Sequence, residues 1–158
     1  RSRLWAASGH DTLPPYTAPE RPAAPDQFRV IPGRAALHTQ ASTTNNPLLS
    51  ELAPTNTLWI HTERAQALDI ADGDWVEVCT ATGPVGRLRA KVTTGIHPEA
   101  VFMLHGFGRK TPQETRAFGK GVADEACMVS GLEYEDPLGG GLALQKHFVT
   151  IRKAEETN

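Results

Sequence analysis

Apolar and polar positions alternate with a period of two along several short stretches of the chain, and these stretches set the expected architecture. Phe28-Arg29-Val30-Ile31 is a β-prone run closed by Pro32-Gly33, and Thr57-Leu58-Trp59-Ile60 is a second. Trp75 to Cys79 alternates until the turn at Thr82-Gly83-Pro84. Val85 to Val92 then continues with Leu88 and Ala90 on one face and Arg87, Arg89 and Lys91 on the other. That pattern predicts a half-buried antiparallel pair. Ala100 to Leu104 is continuously apolar, as for a strand buried on both faces, and Phe148 to Ile151 alternates as a last strand. Helical signals are fewer. Thr62 is a candidate N-cap for a helix of about two turns over Glu63 to Leu68, ending before Ala71-Asp72-Gly73-Asp74, and a second short helix is expected over Gln113 to Phe118. Six short strands with one or two short helices predict a mainly β fold, a closed barrel.

Two segments break this rhythm. Residues 1–27 carry five of the twelve prolines and no periodic apolar pattern, so they are expected to form a proline-rich linker, followed by a folded unit over 28–153 and a tail over 154–158. The stretch from Gly33 to Pro54 is long for a connection and dense in short hydrogen-bonding side chains. Leu48, Leu49 and Leu52 are expected to anchor it, and ordered loops of this length are usually functional.

Composition narrows the function classes. The 158 residues have 39% hydrophobic and 22% charged residues and a net charge of −2, which suits one soluble domain. Without a basic excess, nucleic acid has no global support as a partner. No apolar run approaches the roughly 20 residues of a membrane-spanning helix. Cys79 and Cys127 stand far apart, which excludes a zinc ribbon, a CxxC redox pair and an iron–sulfur cluster held by this chain alone. The chain opens on Arg1 rather than Met, and is read as a processed product or the tail of something larger.

The candidate chemistry lies in loops. His38, Thr39, Gln40, Ser42, Thr43, Thr44, Asn45 and Asn46 offer neutral donors and acceptors without a carboxylate. Such a set suits recognition of carbonyls, ring nitrogens and phosphates rather than acid–base catalysis. The alternative is a capped loop whose hydroxyls and amides satisfy its own backbone. Arg34 is a candidate anion partner. His105-Gly106-Phe107-Gly108-Arg109 follows the buried strand, where glycines let backbone approach a ligand. The later Gly108-Arg109-Lys110-Thr111 fails as a P-loop. Tyr134 to Gly141 reads as a tightly turned or mobile loop, with Lys146 placed to meet an anion before the last strand. No two histidines have the spacing of a local metal pair, and no Gly-x-Ser-x-Gly occurs.

Taken in order, Phe28-Arg-Val-Ile-Pro-Gly-Arg34, His38-Thr39-Gln40, Asn45-Asn46-Pro47, Leu58-Trp59-Ile60-His61, Ala71 to Val78 and His105-Gly106-Phe107-Gly108 resemble one family. It is the C-terminal molybdopterin-dinucleotide-binding domain of the dimethyl sulfoxide reductase superfamily, in the thiosulfate, polysulfide, tetrathionate and arsenate reductase branch. The resemblance covers about Phe28 to Lys153. It implies a six-stranded double-psi β-barrel that closes over bis(molybdopterin guanine dinucleotide) with molybdenum, in an oxidoreductase acting on a sulfur or arsenic oxyanion. Carried over by position, Arg34, His38, Thr39, Gln40, Ser42 and Thr43 would face the cofactor, with Asn45 and Asn46 at its edge. His105, Gly106 and Gly108 would line a second loop, and Lys146 matches a basic position near the final strand. Ser130, in a stretch that departs from the family pattern, is assigned no contact.

The resemblance further implies that the molybdenum ligand and a 4Fe-4S cluster lie in preceding domains of the same catalytic subunit, so that this chain is not catalytic alone. An iron–sulfur electron-transfer subunit and a membrane anchor subunit are the implied partners, and the periplasmic face of the membrane is the favoured location. A rival expectation is a free-standing double-psi barrel acting as a protein- or nucleic-acid-binding adaptor. A self-processing pyruvoyl decarboxylase of the same shape would need a Gly-Ser bond, and none occurs.

Overall fold

A computed structural model describes residues 3–9, 16, 18–128, 131, 135, 140, 141 and 146–155. Ser130 and most of the expected Tyr134–Gly141 loop lie outside the described residues. Six strands, β1 (Gln27–Gly33), β2 (Thr57–His61), β3 (Trp75–Thr80), β4 (Gly83–Thr93), β5 (Ala100–Leu104) and β6 (Phe148–Lys153), close into a barrel in the order β1-β5-β2-β4-β3-β6. This is the expected six-stranded double-psi barrel. Two pairings are parallel, β1·β5 and β2·β4, and the others antiparallel, including the anticipated β3·β4 pair.

The core follows from the period-two pattern. Phe28 and Val30, Leu58 and Ile60, Val76 and Val78, Leu88 and Ala90, Val101 and Met103, and Val149 and Ile151 all point inward. Each strand thus contributes alternate residues to one contiguous interior, as a barrel of this size requires. The outward partners are covered in a different way. Arg89 lies over Trp75 at 4.3 Å from the ring centroid, Lys91 lies over Trp59 at 4.2 Å, and Trp59 packs on Phe102 at 5.0 Å. The outer side of β5, expected to be buried, is in this way half covered by side chains rather than by a second layer.

Among the described residues, three α-helices accompany the barrel: α1 (Arg3–Ala7), α2 (Pro47–Leu52) and α3 (Thr62–Ala67). The lead-in therefore contains one helical turn, and residues 18–26 dock on the barrel. Arg21 pairs with Glu99, the Arg29 guanidinium donates to the Glu20 carbonyl, and Arg64 donates to the Pro25 carbonyl. The α3 cap is His61, one residue before the expected Thr62, with Nδ1 accepting the Glu63 N–H at 3.3 Å.

The expected helix over Gln113 to Phe118 is a turn instead. It has one full helical bond, Phe118 N–H to the Glu114 carbonyl at 2.7 Å. Arg109 grips Glu114 across the turn at 2.6 and 2.7 Å, and Gly119 and Gly121, both with positive φ, end it. The second helix of the barrel region is α2. Asn46 caps it by accepting from the Leu48 and Leu49 amides, and Pro47 opens it. Leu48 and Leu52 do not anchor the loop: they are 72% and 70% exposed, one turn apart on the outer face of α2.

Several ion pairs make the fold sensitive to acid. Arg152 holds the Glu77 carboxyl below its ordinary 4.5, Arg109 does the same for Glu114 and Arg21 for Glu99. The Ala71 N–H, then Lys153, lower Asp74 below 3.8. Burial also lowers the His147 imidazole below 6.5. A depressed group favours the folded state above its unfolded value, and the contribution is lost as pH falls through the folded value. The urea midpoint is therefore expected to be level between pH 8 and 7, to fall gently below 6.5 as His147 resists protonation, and to fall more steeply below 4.5. A midpoint that rises between pH 7 and 5 would contradict this assignment.

Candidate functional site

The parallel β1·β5 pairing decides where the site lies. Gly33 and Leu104 are in register, so both strands end on the same side of the barrel, and the His105 N–H donates to the Gly33 carbonyl at 2.9 Å. The long loop that begins at Arg34 and the loop that begins at His105 leave from adjacent positions. β6 runs antiparallel to β1 with Arg29 opposite Phe148, which brings exposed Lys146 to the same end. Strand pairing thus brings the Arg34 loop, the His105 loop and Lys146 to one end of the barrel.

The first loop folds back over the second. Gln40 to Thr43 form a 3-10 turn that rests on Gly106. Gly106 has φ +99°, and a Cβ there would lie 2.5 Å from the Ala41 nitrogen and the Gln40 carbonyl carbon, so no larger residue fits under the turn. Gly108, at φ +75°, meets the Ala123 backbone in the same way, and its N–H is used by the Lys120 carbonyl at 2.9 Å.

The polar residues of the loop divide into two groups. His38, Thr43, Asn45 and Asn46 find partners within the protein. His38, 5% exposed, donates from Nε2 to the Ala53 carbonyl at 2.9 Å and packs edge-on to Phe107. With that proton on Nε2, Nδ1 accepts from the Thr43 hydroxyl at 3.4 Å, while the Thr43 oxygen accepts the Thr39 N–H at 2.8 Å. Asn45 accepts the Arg116 and Ala117 amides at 2.9 and 3.2 Å, tying the loop to the Glu114 turn, and Asn46 caps α2. Thr44, buried, donates to the Ala41 carbonyl at 3.0 Å. The second group faces outward. Arg34, Thr39 and Ser42 are exposed, and Gln40, at φ +52°, turns its amide oxygen to Arg34 Nε and Nη2 at 3.1 and 2.9 Å.

Arg34, Gln40 and His105 line one cavity of about 300 Å³, together with Pro32, Gly33, Asp124, Glu125 and Met128. Asp124 was not signalled by any local pattern. It is fully buried at the start of a 3-10 turn (Asp124–Cys127), with both carboxylate oxygens 2.9 Å from His105 Nδ1. Asn56 is equally unheralded. It is 1% exposed, donates to the Leu104 and Val122 carbonyls at 3.0 and 2.8 Å, and accepts the Val122 N–H at 3.0 Å. It thereby staples the segment carrying Asp124 to the end of β5. Cys127 lies under this turn, 2% exposed. Burial, then the Asp124 and Glu125 charges, push its thiol up to about 12, which leaves it protonated and inert.

The lining combines groups able to bond both neutral polar atoms and anionic oxygens. Arg34 supplies a cation, Gln40 a neutral amide and His105 an imidazole edge, while the exposed Thr39, Ser42 and Lys146 lie outside this lining. A cavity of this volume is at the small end for ligand sites.

Comparisons with known proteins identify the family and the fold. The profile of the family described as Molydopterin dinucleotide binding domain matches residues 28–146. The thiosulfate reductase molybdopterin-containing subunit PhsA of Salmonella typhimurium is 37% identical over 123 residues, which is 75% of this chain and 16% of that protein. The solved structure of acetylene hydratase from Pelobacter acetylenicus superposes on 97% of this chain and 23% of its own, with a TM-score of 0.78 at 20% identity, and so shares the fold. The chain spans well under a third of the length of either relative. With three quarters of its residues covered by the family profile and the barrel and loops in place, the chain belongs to the molybdopterin dinucleotide-binding domain family.

Proposed function

We propose that this chain covers one face of bis(molybdopterin guanine dinucleotide) within the catalytic subunit of a molybdenum oxidoreductase that acts on a sulfur or arsenic oxyanion. The observation that carries the reading is the convergence of Arg34, Gln40 and His105 on one cavity at the end of the barrel where three loops meet. In this reading Arg34 and Lys146 hold anionic oxygens, Gln40, Thr39, Ser42 and His105 bond the heterocycle edges, and the Gly106 and Gly108 turns set the loop positions. His38, Thr43, Asn45 and Asn46 shape the loop from within. The bound cofactor supplies the redox chemistry. This chain's own residues bind it, orient it and exclude water on their side.

The remaining parts of the proposal extend beyond the 158 residues. The molybdenum ligand and a 4Fe-4S cluster belong to other domains of the subunit, and electrons pass through an iron–sulfur partner subunit to a membrane anchor. The similarity to the Salmonella relative, a molybdopterin-containing thiosulfate reductase subunit, supports this reading. An adaptor role would leave the polar lining of the cavity without a purpose.

The test uses the full-length subunit. A charge-assisted bond is worth roughly 1.5–3 kcal/mol, so Arg34→Ala and Lys146→Ala are each expected to weaken cofactor retention about ten- to a hundredfold. Gln40→Ala should have a smaller effect. Molybdenum and pterin content after gel filtration report the result. Unchanged content in all three variants sinks the assignment.

A further inference from the structure

We propose that Asp124 is a positioning residue that keeps the His105 proton on Nδ1, so that Nε2 is the ring atom presented to the ligand in the Arg34–Gln40 cavity. The inference deepens the cofactor-face reading and rests on it for the identity of the ligand.

The geometry is specific. Asp124 has no solvent exposure, and its two oxygens both stand 2.9 Å from Nδ1. A buried carboxylate needs a donor, and an ionised one can only accept. Among the described residues, the side chain that reaches it is His105. The histidine cannot easily turn away: its N–H is bonded to Gly33, and the next residue, Gly106, is wedged under the 3-10 turn. With Nδ1 committed, the third of the His105 side chain that remains exposed lies in the cavity. The other charged groups around the pair are Arg34 and Glu125, both at the cavity wall, and the Cys127 thiol stays neutral beneath it.

Which ring nitrogen of a histidine carries the proton is set by the bond the other one makes. With Nδ1–H directed at Asp124, neutral His105 offers an acceptor at Nε2, suited to a ring N–H or amino group. On protonation Nε2 becomes a donor to an anionic oxygen, and the Asp124 charge keeps the pair neutral overall. One side chain can therefore serve either edge of a heterocycle that changes its own proton count, provided Asp124 stays in place. In zinc enzymes a carboxylate behind a ligating imidazole is worth roughly 10–100-fold in affinity, which sets the scale for a positioning effect.

The chain closes its own barrel and core, so the tautomer can be read on it directly. Long-range ¹⁵N–¹H spectra of histidine-labelled chain, at a pH where imidazole is neutral, are expected to show His105 protonated at Nδ1 and bare at Nε2. In Asp124→Asn the amide can donate to Nδ1, and the ring is expected to invert to Nε2–H. Predominance of Nε2–H in the wild type, or no change in Asp124→Asn, overturns the proposal. So does loss of the Nδ1 proton on adding one equivalent of Zn²⁺, because His105, Asp124 and Glu125 offer ligand atoms within 4.8 Å of one another and would then be a metal site. Should Asp124→Asn not fold, the wild-type spectrum still decides.

In the full-length subunit, Asp124→Asn and His105→Gln are each expected to lower pterin retention about tenfold, with the double variant no worse than either. Additive losses would mean that Asp124 acts independently of His105. If retention is unchanged in every variant while the tautomer responds, the cofactor-face reading fails and the positioning role stands.

Discussion

Replacing Asn56, the residue before β2, with alanine is expected to lower the free energy of unfolding by about 4 kcal/mol. The change strips partners from the Leu104 carbonyl, the Val122 carbonyl and the Val122 N–H. Each buried group left unpaired costs about 1–3 kcal/mol, reduced where water can enter. Asn56→Asp separates shape from hydrogen bonding. Aspartate has almost the same outline, but it offers two acceptors to a site where two of the three partners are carbonyls. It should be at least as damaging as alanine at pH 7, and less so at low pH where the carboxyl can donate. Urea unfolding of both variants across pH checks this, and an aspartate variant as stable as wild type at pH 7 would refute the staple. Because the staple holds the segment carrying Asp124, either variant should also release His105 from its partner.

The second large effect is expected at Gly106. An alanine Cβ would meet the Ala41 nitrogen and Gln40 carbonyl carbon at 2.5 Å, against rigid backbone rather than the tip of a flexible chain, and φ +99° is already unfavourable for any L side chain. Backbone strain of about 1–2 kcal/mol and overpacking of about 1–3 kcal/mol together give roughly 3 kcal/mol. Gly73→Ala provides the comparison. Gly73 has φ +85° but open space where a Cβ would go, so its variant isolates the conformational part, about 1 kcal/mol. The difference between the two in urea unfolding measures the contact with the 3-10 turn. Equal losses would show that the turn yields freely. In the full-length subunit, Gly106→Ala should also lower cofactor retention, since lifting the turn draws Gln40 away from Arg34.

Sequence and structure agree where the physics is local. The six strands are legible because a barrel buries every second residue, and Leu88, Ala90, Val149 and Ile151 show that rhythm without reference to anything distant. The cap of α2 was also locally encoded, in Asn46-Pro47, yet the surrounding polar residues masked it. Those residues were ambiguous for a physical reason. The atoms that let His38, Thr43 and Asn45 bond a ligand are the ones that let them bond the loop, and only the folded geometry divides them. Asn56 and Asp124 were invisible because their partners lie 66 and 19 positions away along the chain. The expected helix at Gln113 failed because the Arg109–Glu114 pair and the following glycines favour a turn.

The register of β1 carries a consequence for how the protein is made. Neither of its neighbours is near in sequence: Arg29 pairs with Ala100 on one side and Phe148 on the other. As this barrel is synthesised, β1 therefore waits unpaired until β5 has been made and keeps one open edge until β6 follows. Closing such distant contacts is entropically slow. During that interval Phe28 and Val30 are exposed to the rest of the cell, so the barrel's closure, which leaves no free edge in the finished molecule, concentrates the aggregation hazard in its birth.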